Sequence, residues 1–375
     1  MIAIVYPQYY GVGGIARYIE SFLSNLPQGH PGVEVITGER LREGVEFPGV
    51  VFRHIPVPNT RTGLFRWGVA VRRYLRQAHR AGTLSCVNLH WPPLIPGLFL
   101  PDGIPLVVTS HTTYLGMSGR FYGKEYYPSE WGGASVAIKR WMETRTLAKT
   151  DLVIALTEQG RAELVASGYR GPVAIHPNGA DVVKFCPDQS VEKDVDVLFS
   201  GRIETRKGSR SIGEVCRRLV ALRPSIRIVV VGYGTDDAAV AEELSTLSGN
   251  VTLTGKVPFD RMKSFYDRAK VYVSTSYYEG LPGTCLEAMA MALPAVVWDF
   301  GFYDGLVREG ETGHRVAPDD HQAMARRVVD LLGRDAVRRT MGSSCRKLLE
   351  EEYSWMRLAP QILSTILSVS GGGRE

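Results

Sequence analysis

The chain has 375 residues, of which 44% are hydrophobic and 22% charged, with a formal net charge of +5. That length admits two domains of ordinary size, each with a core of its own, and the composition is that of a globular protein in water. No stretch of about 18 uninterrupted apolar residues occurs, so no membrane-spanning helix is expected.

Met1-Ile2-Ala3-Ile4-Val5-Tyr6 has no basic leader region and reads as a first strand rather than a signal peptide. Further strands are predicted at 33–37, 50–54, 85–90, 105–110, 151–155 and 172–175, and helices at 15–26, 64–81, 135–148 and 158–167. Strands alternating with helices predict a parallel sheet covered on both faces. His176-Pro177-Asn178-Gly179-Ala180-Asp181 breaks the pattern and marks a domain junction. A second α/β series follows, with strands at 197–200, 226–231, 251–254, 271–275, 295–297 and 314–316. Its helices are predicted at 209–222, 236–247, 260–269, 285–292 and 322–332, and a last helix at 354–368. The expected domains are therefore 1–180 and 181–353, two doubly wound α/β domains in tandem facing a cleft.

Residues 1–180 hold 18 Lys/Arg against 12 Asp/Glu, and the remainder 26 against 27, so the positive excess lies in the first half. A small excess of this kind hints at an anionic partner. The five cysteines, Cys86, Cys186, Cys216, Cys285 and Cys345, show no CxxC spacing. That predicts a reducing, cytoplasmic setting and no structural zinc.

The most informative stretch is Ser276-Tyr277-Tyr278-Glu279-Gly280-Leu281-Pro282-Gly283-Thr284-Cys285-Leu286-Glu287. It joins a predicted strand to a predicted helix, where free backbone N–H groups favour a phosphate. Glu279 and Glu287 flank the turn, and a carboxylate accepts paired hydrogen bonds from vicinal hydroxyls. The alternative is a capping box, in which Thr284 and Glu287 tie down their own helix. Gly201-Arg202-Ile203-Glu204-Thr205-Arg206-Lys207-Gly208 follows the first strand of the second half, where Arg202 and Lys207 can converge on a diphosphate; a solvated basic loop is the alternative.

In the first half, Gly11-Val12-Gly13-Gly14 lies between strand and helix and lets backbone approach an anion or sugar; a plain tight turn is the alternative. Read as Gly11-x-Gly13-x-x-Ala16, with Glu34 about twenty residues on, it also fits a loose dinucleotide fingerprint. That fit would make the protein a nicotinamide or flavin oxidoreductase. His90 and His111 each close a predicted strand, as core residues or as active-site ones. The segment 64–81 is a basic amphipathic helix, with Arg66, Arg73, Arg76 and Arg80 opposite its apolar face. It either packs on its own sheet with solvated arginines or lies on an anionic membrane. The loop 112–135 carries Tyr114, Phe121, Tyr122, Tyr126, Tyr127 and Trp131, a possible acceptor platform.

Together these residues resemble the retaining glycosyltransferases of family 4, which have the two-domain GT-B fold. The resemblance rests on Glu279-x7-Glu287, on Gly201, Arg202, Lys207 and Gly208, on Gly11 to Gly14, and on Asn178, Gly179 and Asp181. Where the family more often has Phe-Gly in the turn, this chain has Leu281-Pro282. The resemblance implies two Rossmann-like domains, with the last helix, in 354–375, crossing back to the first. It implies a nucleotide-diphosphate sugar donor, a UDP-sugar foremost, and neither cofactor nor metal. Arg202 and Lys207 would grip the diphosphate and Glu287 the ribose. Glu279, Gly280, Leu281, Pro282, Gly283 and Thr284 would hold the transferred hexose, with Val257 also in the donor set. His111 would stand beside the sugar, and Gly11, Gly13, Gly14 and His90 would form the acceptor or phosphate loop. The acceptor would be a glycan, a glycolipid or a small molecule, never a nucleic acid. The helix bearing Arg66, Arg73 and Arg76 would make any contact with the inner membrane face. No strand-end base is evident in the first half, which fits a front-side route with retention. A sugar-nucleotide-binding scaffold without turnover is a further alternative.

Overall fold

The computed structural model describes every residue except 10–12, 41–45, 61, 93–94, 120, 123–125, 127–132 and 371–375. The chain divides into two compact units. Unit 1 comprises Met1–Lys124, Ser129–Asn178 and Trp355–Glu375; unit 2 comprises Glu125–Pro128 and Gly179–Ser354.

Unit 1 is built on seven strands: β1 (Ile2–Val5), β2 (Val33–Thr37), β3 (Val50–His54), β4 (Cys86–Trp91), β5 (Leu106–Ser110), β6 (Leu152–Ala155) and β7 (Val173–Ile175). They pair in parallel in the order β3-β2-β1-β4-β5-β6-β7. Runs such as Ile2-Ala3-Ile4-Val5 are apolar throughout because both faces of a wound parallel sheet are covered. The covering helices are α1 (Gly14–Ser24), α2 (Gly63–Arg80), α3 (Ile95–Leu98), α4 (Tyr114–Met117), α5 (Gly133–Leu147) and α6 (Glu158–Ala166).

Unit 2 repeats the plan with β8 (Val195–Ser200), β9 (Ile228–Val231), β10 (Val251–Gly255), β11 (Ala269–Ser274), β12 (Ala295–Trp298) and β13 (Gly313–Val316). Their order is β10-β9-β8-β11-β12-β13, again all parallel. Its helices are α7 (Ser209–Leu222), α8 (Asp237–Ser245), α9 (Met262–Arg268), α10 (Gly283–Ala290), α11 (His321–Gly333) and α12 (Asp335–Glu352). In both sheets the winding direction reverses once, between β1 and β4 and between β8 and β11. Ligands of open α/β sheets bind outside the carboxyl ends of strands at such a reversal.

The last helix, α13 (Trp355–Ser368), belongs to unit 1 as anticipated, burying Trp355, Leu358, Ile362, Leu363 and Ile366. Three helices were not foreseen. The four-residue α3 and α4 are too short to show a period. Helix α12 carries Gly342-Ser343-Ser344 at its centre, poor helix formers. Packing explains that glycine: a Cβ on Gly342 would lie 2.3 Å from the carbonyl oxygen of Ala292, just beyond α10.

Candidate active site

In unit 2 the loops leaving β8 and β11, the two strands at the reversal, are tied together. The guanidinium of Arg206 donates to the Tyr278 carbonyl (3.0 Å), and the Tyr277 N–H donates to the Arg206 carbonyl (3.1 Å). Between them the Lys207 ammonium forms an ion pair with Glu279, whose other oxygen accepts from Ser276 Oγ at 3.1 Å. The Lys207 and Glu279 side chains are only 18% and 12% exposed, so the pair is largely desolvated. Burial opposes ionisation of Glu279, yet Lys207 and Arg206 together hold its carboxyl below the usual range. Burial pulls Lys207 down to about 8, with Glu279 opposing and the Arg206 and Arg202 charges adding to the fall.

Local sequence makes this convergence possible. Gly208 closes the loop with φ +75°, and a Cβ there would fall 1.8 Å from the Thr275 carbonyl oxygen. Only glycine combines that left-handed backbone with so close an approach. Arg202, the other cation expected at a diphosphate, pairs with Glu204 at 2.7 Å and is half exposed, and its charge reaches Lys207. Arg206, which the sequence reading passed over, is the buried cation of the loop, 8% exposed.

Helix α10 begins at Gly283, with Pro282 at its N-cap. Thr284 is therefore inside the helix, its hydroxyl 3.0 Å from Tyr272 Oη, and the capping-box reading fails. Glu287, 7% exposed, accepts a hydrogen bond from Tyr266 Oη at 2.9 Å. Glu279 in the turn and Glu287 in the first turns of α10 thus approach the end of the sheet held by different partners. Leu281 is buried, while Gly280, Gly283 and Thr284 are half-buried at the helix start. Val257, beyond β10, is half-buried as well, and its neighbour Lys256 lies 5.1 Å from the ring centroid of Tyr233, beyond β9.

The chain passes from unit 1 to unit 2 between Asn178 and Gly179. Asp181 shapes the next turn, accepting from the N–H groups of Val183 (3.1 Å) and Lys184 (2.9 Å). Four cysteines are buried thiols and Cys186 is exposed. Among the described residues no group of His, Cys, Asp or Glu is disposed to hold a metal.

In unit 1, His90 and His111 are brought into direct contact, His90 Nδ1 to His111 Nε2 at 2.9 Å. Both are buried, and Tyr18 of α1 packs edge-on against both rings and against Trp355. Burial, and for His90 also the second ring, lowers His90 well below the ordinary imidazole range and brings His111 to about 3. His90 is 1% exposed and His111 8%.

Gly11 lies outside the described residues. Gly13 caps α1 in extended conformation, and a Cβ on Gly13 or Gly14 would meet nothing within 4 Å. Internal packing therefore does not demand these glycines. The dinucleotide alternative fails at Glu34, which accepts from Arg53 Nε (2.6 Å) and from Tyr74 Oη (2.7 and 2.8 Å) and is 3% exposed. That carboxylate braces β2, β3 and α2 and is not open to a ribose.

Helix α2 buries Trp67, Val71, Leu75 and Ala78, and Arg66, Arg73, Arg76 and Arg80 are exposed. The described aromatic residues of the loop 112–135 have separate partners. Tyr114 is buried in the unit 1 core, Tyr122 Oη accepts from Gln159 at 2.6 Å, and Tyr126, which groups with unit 2, stacks on Tyr277. Tyr127 and Trp131 lie outside the described residues. No described helix is long and apolar enough to cross a membrane.

Two family models tile the chain: "Glycosyltransferase Family 4" over residues 12–184 and "Glycosyl transferases group 1" over 186–348. The chain belongs to the family 4, group 1 glycosyltransferases. It is 27% identical over 330 residues to the phosphatidyl-myo-inositol mannosyltransferase of Mycolicibacterium smegmatis, covering 85% of this chain and 80% of that one. Its fold matches that of sucrose-phosphate synthase from Thermosynechococcus elongatus at TM-score 0.82 and 19% identity, over 98% of both chains. It also matches HepE of Anabaena, solved with UDP and glucose, at TM-score 0.75 and 15% identity over 98% of this chain and 99% of that one. These solved structures are GT-B neighbours, and the GT-B class is the one anticipated from the motifs.

Proposed function

We propose that this glycosyltransferase moves a hexose-type sugar from a UDP-sugar to a hydroxyl of a glycan, glycolipid or small molecule, with retention of configuration and without a metal. The observation that carries the proposal is the Lys207–Glu279 ion pair at the winding reversal of unit 2, with the buried Glu287 on α10, the helix that follows the same turn. A cation held in a dry site by the substrate-facing turn is matched to a diphosphate leaving group. Glu287, with Tyr266 fixing one oxygen, serves the ribose hydroxyls, and Val257 belongs to the same donor set. Glu279 and Gly280 to Thr284 hold the hexose, and Arg202 and Lys207 take the diphosphate, with Arg206 bracing Tyr278. The nucleotide is assigned as UDP because HepE is solved with UDP and glucose.

In the reaction the bond from the sugar anomeric carbon to the diphosphate oxygen breaks, and a bond to the acceptor oxygen forms on the same face. The acceptor proton passes to the departing diphosphate, which the cations stabilise, so no carboxylate base is needed. The acceptor is assigned to unit 1, through the Gly11–Gly14 loop, and His111 is counted among the catalytic residues. The relative that acts on a phosphatidyl-myo-inositol supports a lipid-linked acceptor, with Arg66, Arg73 and Arg76 of α2 as the membrane-facing cations.

The test is a thermal-shift screen of UDP-, GDP- and ADP-sugars in excess chelator, followed by turnover and anomeric analysis of the product. A ligand that binds only the native state raises its melting temperature. Stabilisation by a UDP-sugar and a product of unchanged anomeric configuration are expected. No response to any nucleotide sugar, or an inverted product, overturns the proposal.

A further inference from the structure

The contact between His90 and His111 does more than fill the core of unit 1. One imidazole must donate its proton to the other across the 2.9 Å between His90 Nδ1 and His111 Nε2. Two arrangements are open to two neutral rings. If His111 donates from Nε2, His90 carries its proton on Nε2, and that atom is buried without a hydrogen-bond partner. An orphaned buried N–H is among the rarest features of folded proteins. If His90 donates from Nδ1, its Nε2 is left as a bare lone pair, which is tolerated more readily. The second arrangement forces the proton of His111 onto Nδ1, since its Nε2 is then the acceptor.

We infer that His90 is a positioning residue that fixes His111 as the neutral Nδ1–H tautomer, so that His111 presents a hydrogen-bond donor to a sugar hydroxyl and does not act as a base. The shell around the pair holds both rings in place. Tyr18 lies edge-on to both rings, with centroids at 5.5 Å from His90 and 4.7 Å from His111, and Trp355 of α13 closes over Tyr18 at 4.8 Å. The backbone N–H of His111 donates to the Trp91 carbonyl at 3.1 Å, fixing where its ring starts. Burial disfavours the imidazolium in both rings, which keeps one shared proton in the contact. A neutral donor agrees with a front-side reaction in which the leaving diphosphate takes the acceptor proton. The inference rests on the proposed placement of His111 at the reacting centre.

The experiment uses the full chain with 15N-labelled histidine, and long-range proton–nitrogen correlation to read each tautomer. Wild type is expected to show His111 protonated on Nδ1 and bare on Nε2. His90→Phe removes the donor and is expected to shift His111 toward the Nε2–H form. Its kcat is expected to fall about tenfold, the scale of one hydrogen bond, with UDP affinity unchanged. His90→Gln has a side-chain N–H that can donate to the same nitrogen, so it keeps the Nδ1–H form and a kcat above that of His90→Phe. An Nε2–H tautomer of His111 in wild type, or a tautomer unmoved in folded His90→Phe, overturns the inference. His111→Phe separates the two readings. Full transfer by that variant, with the Nδ1–H signal present in wild type, overturns the active-site placement and the catalytic half of the inference. Lost transfer with the wrong wild-type tautomer overturns the positioning role alone.

Discussion

Lys207 links electrostatics to ligand binding most directly. Its ammonium is drawn down to about 8 by burial, which Glu279 only partly offsets. An ordinary lysine titrates near 10.4, so the buried charge burdens the native state below pH 8, and that cost is relieved as pH rises from 8 toward 10.4. A diphosphate beside Lys207 favours the charged form. UDP affinity should therefore vary little between about pH 7 and 8 and fall above that, with proton uptake on binding just above pH 8. Titration calorimetry in buffers of different ionisation enthalpy checks this; binding without proton uptake at that pH would refute it. Glu279→Gln removes the opposing charge, so the fall in affinity should begin at lower pH. The broken pair should also cost about 3 kcal/mol of stability, the low end for a buried pair because both side chains keep some exposure. Glu287→Gln should act differently. The amide offers one acceptor oxygen where the carboxylate offered two, so UDP affinity should drop by about 1–2 kcal/mol with little change in melting temperature. Equal and small effects of the two variants on affinity and turnover would reduce the turn to an ordinary strand–turn–helix.

At the scale of elements, the site depends on how closely two loops approach. Gly208→Ala puts a methyl group 1.8 Å from the Thr275 carbonyl oxygen on a left-handed backbone. The loops after β8 and β11 should separate, at a cost of roughly 1–3 kcal/mol, and UDP binding should be lost with unit 2 still folded. A Gly208→Ala protein with wild-type affinity would show that Lys207 and Glu279 need no such convergence. Helix α2 poses a separate question, because its apolar face is already used by the sheet and its exposed face holds Arg66, Arg73 and Arg76 beside Phe65, which is 52% exposed. If that face meets anionic lipid, sedimentation with anionic vesicles should weaken as salt is raised, since the attraction is screened within about 8–10 Å. Changing the three arginines to glutamate should abolish it. Vesicle binding indifferent to both would leave the arginines as a solvated face.

For the whole molecule, the decisive feature is that unit 1 is discontinuous in sequence. Trp355, Leu358, Ile362, Leu363 and Ile366 return to it from the far end of the chain. Burying each such side chain is worth about 1.5–3 kcal/mol, so losing all five removes roughly 7 kcal/mol or more, comparable with the stability of a whole domain. A chain ending at Ser354 should therefore fail to fold in unit 1, although most of that unit precedes residue 180. Circular dichroism and melting of the truncated chain check this, and an unchanged melting profile would show that α13 is dispensable.

The sequence by itself determined the layers and most of the elements. The apolar stripe of α2 is long enough to express its own period, and Ile228-Val229-Val230-Val231 is a continuous β-branched run of the kind a buried parallel strand needs. The sequence also placed the proposed site at a strand end, since Glu279 and Glu287 flank a turn whose glycines and proline are legible one residue at a time. Partners were another matter. That Lys207 takes Glu279 while Arg202 takes Glu204 depends on which loops lie side by side, and strand order sets that. Residues such as Arg206 and Tyr266 carry no local signal, because an arginine in a basic loop and a tyrosine on a helix become site residues only through what packs against them. Glu34 fitted a ribose by spacing alone, until Arg53 and Tyr74, brought from β3 and α2, claimed it. His90 and His111 lie at the ends of adjacent parallel strands, so their contact follows from pairing β4 with β5 and not from their separation of 21 positions in sequence. Pairing of distant segments is a property of the folded chain, and desolvation and proton sharing exist only once that pairing is made.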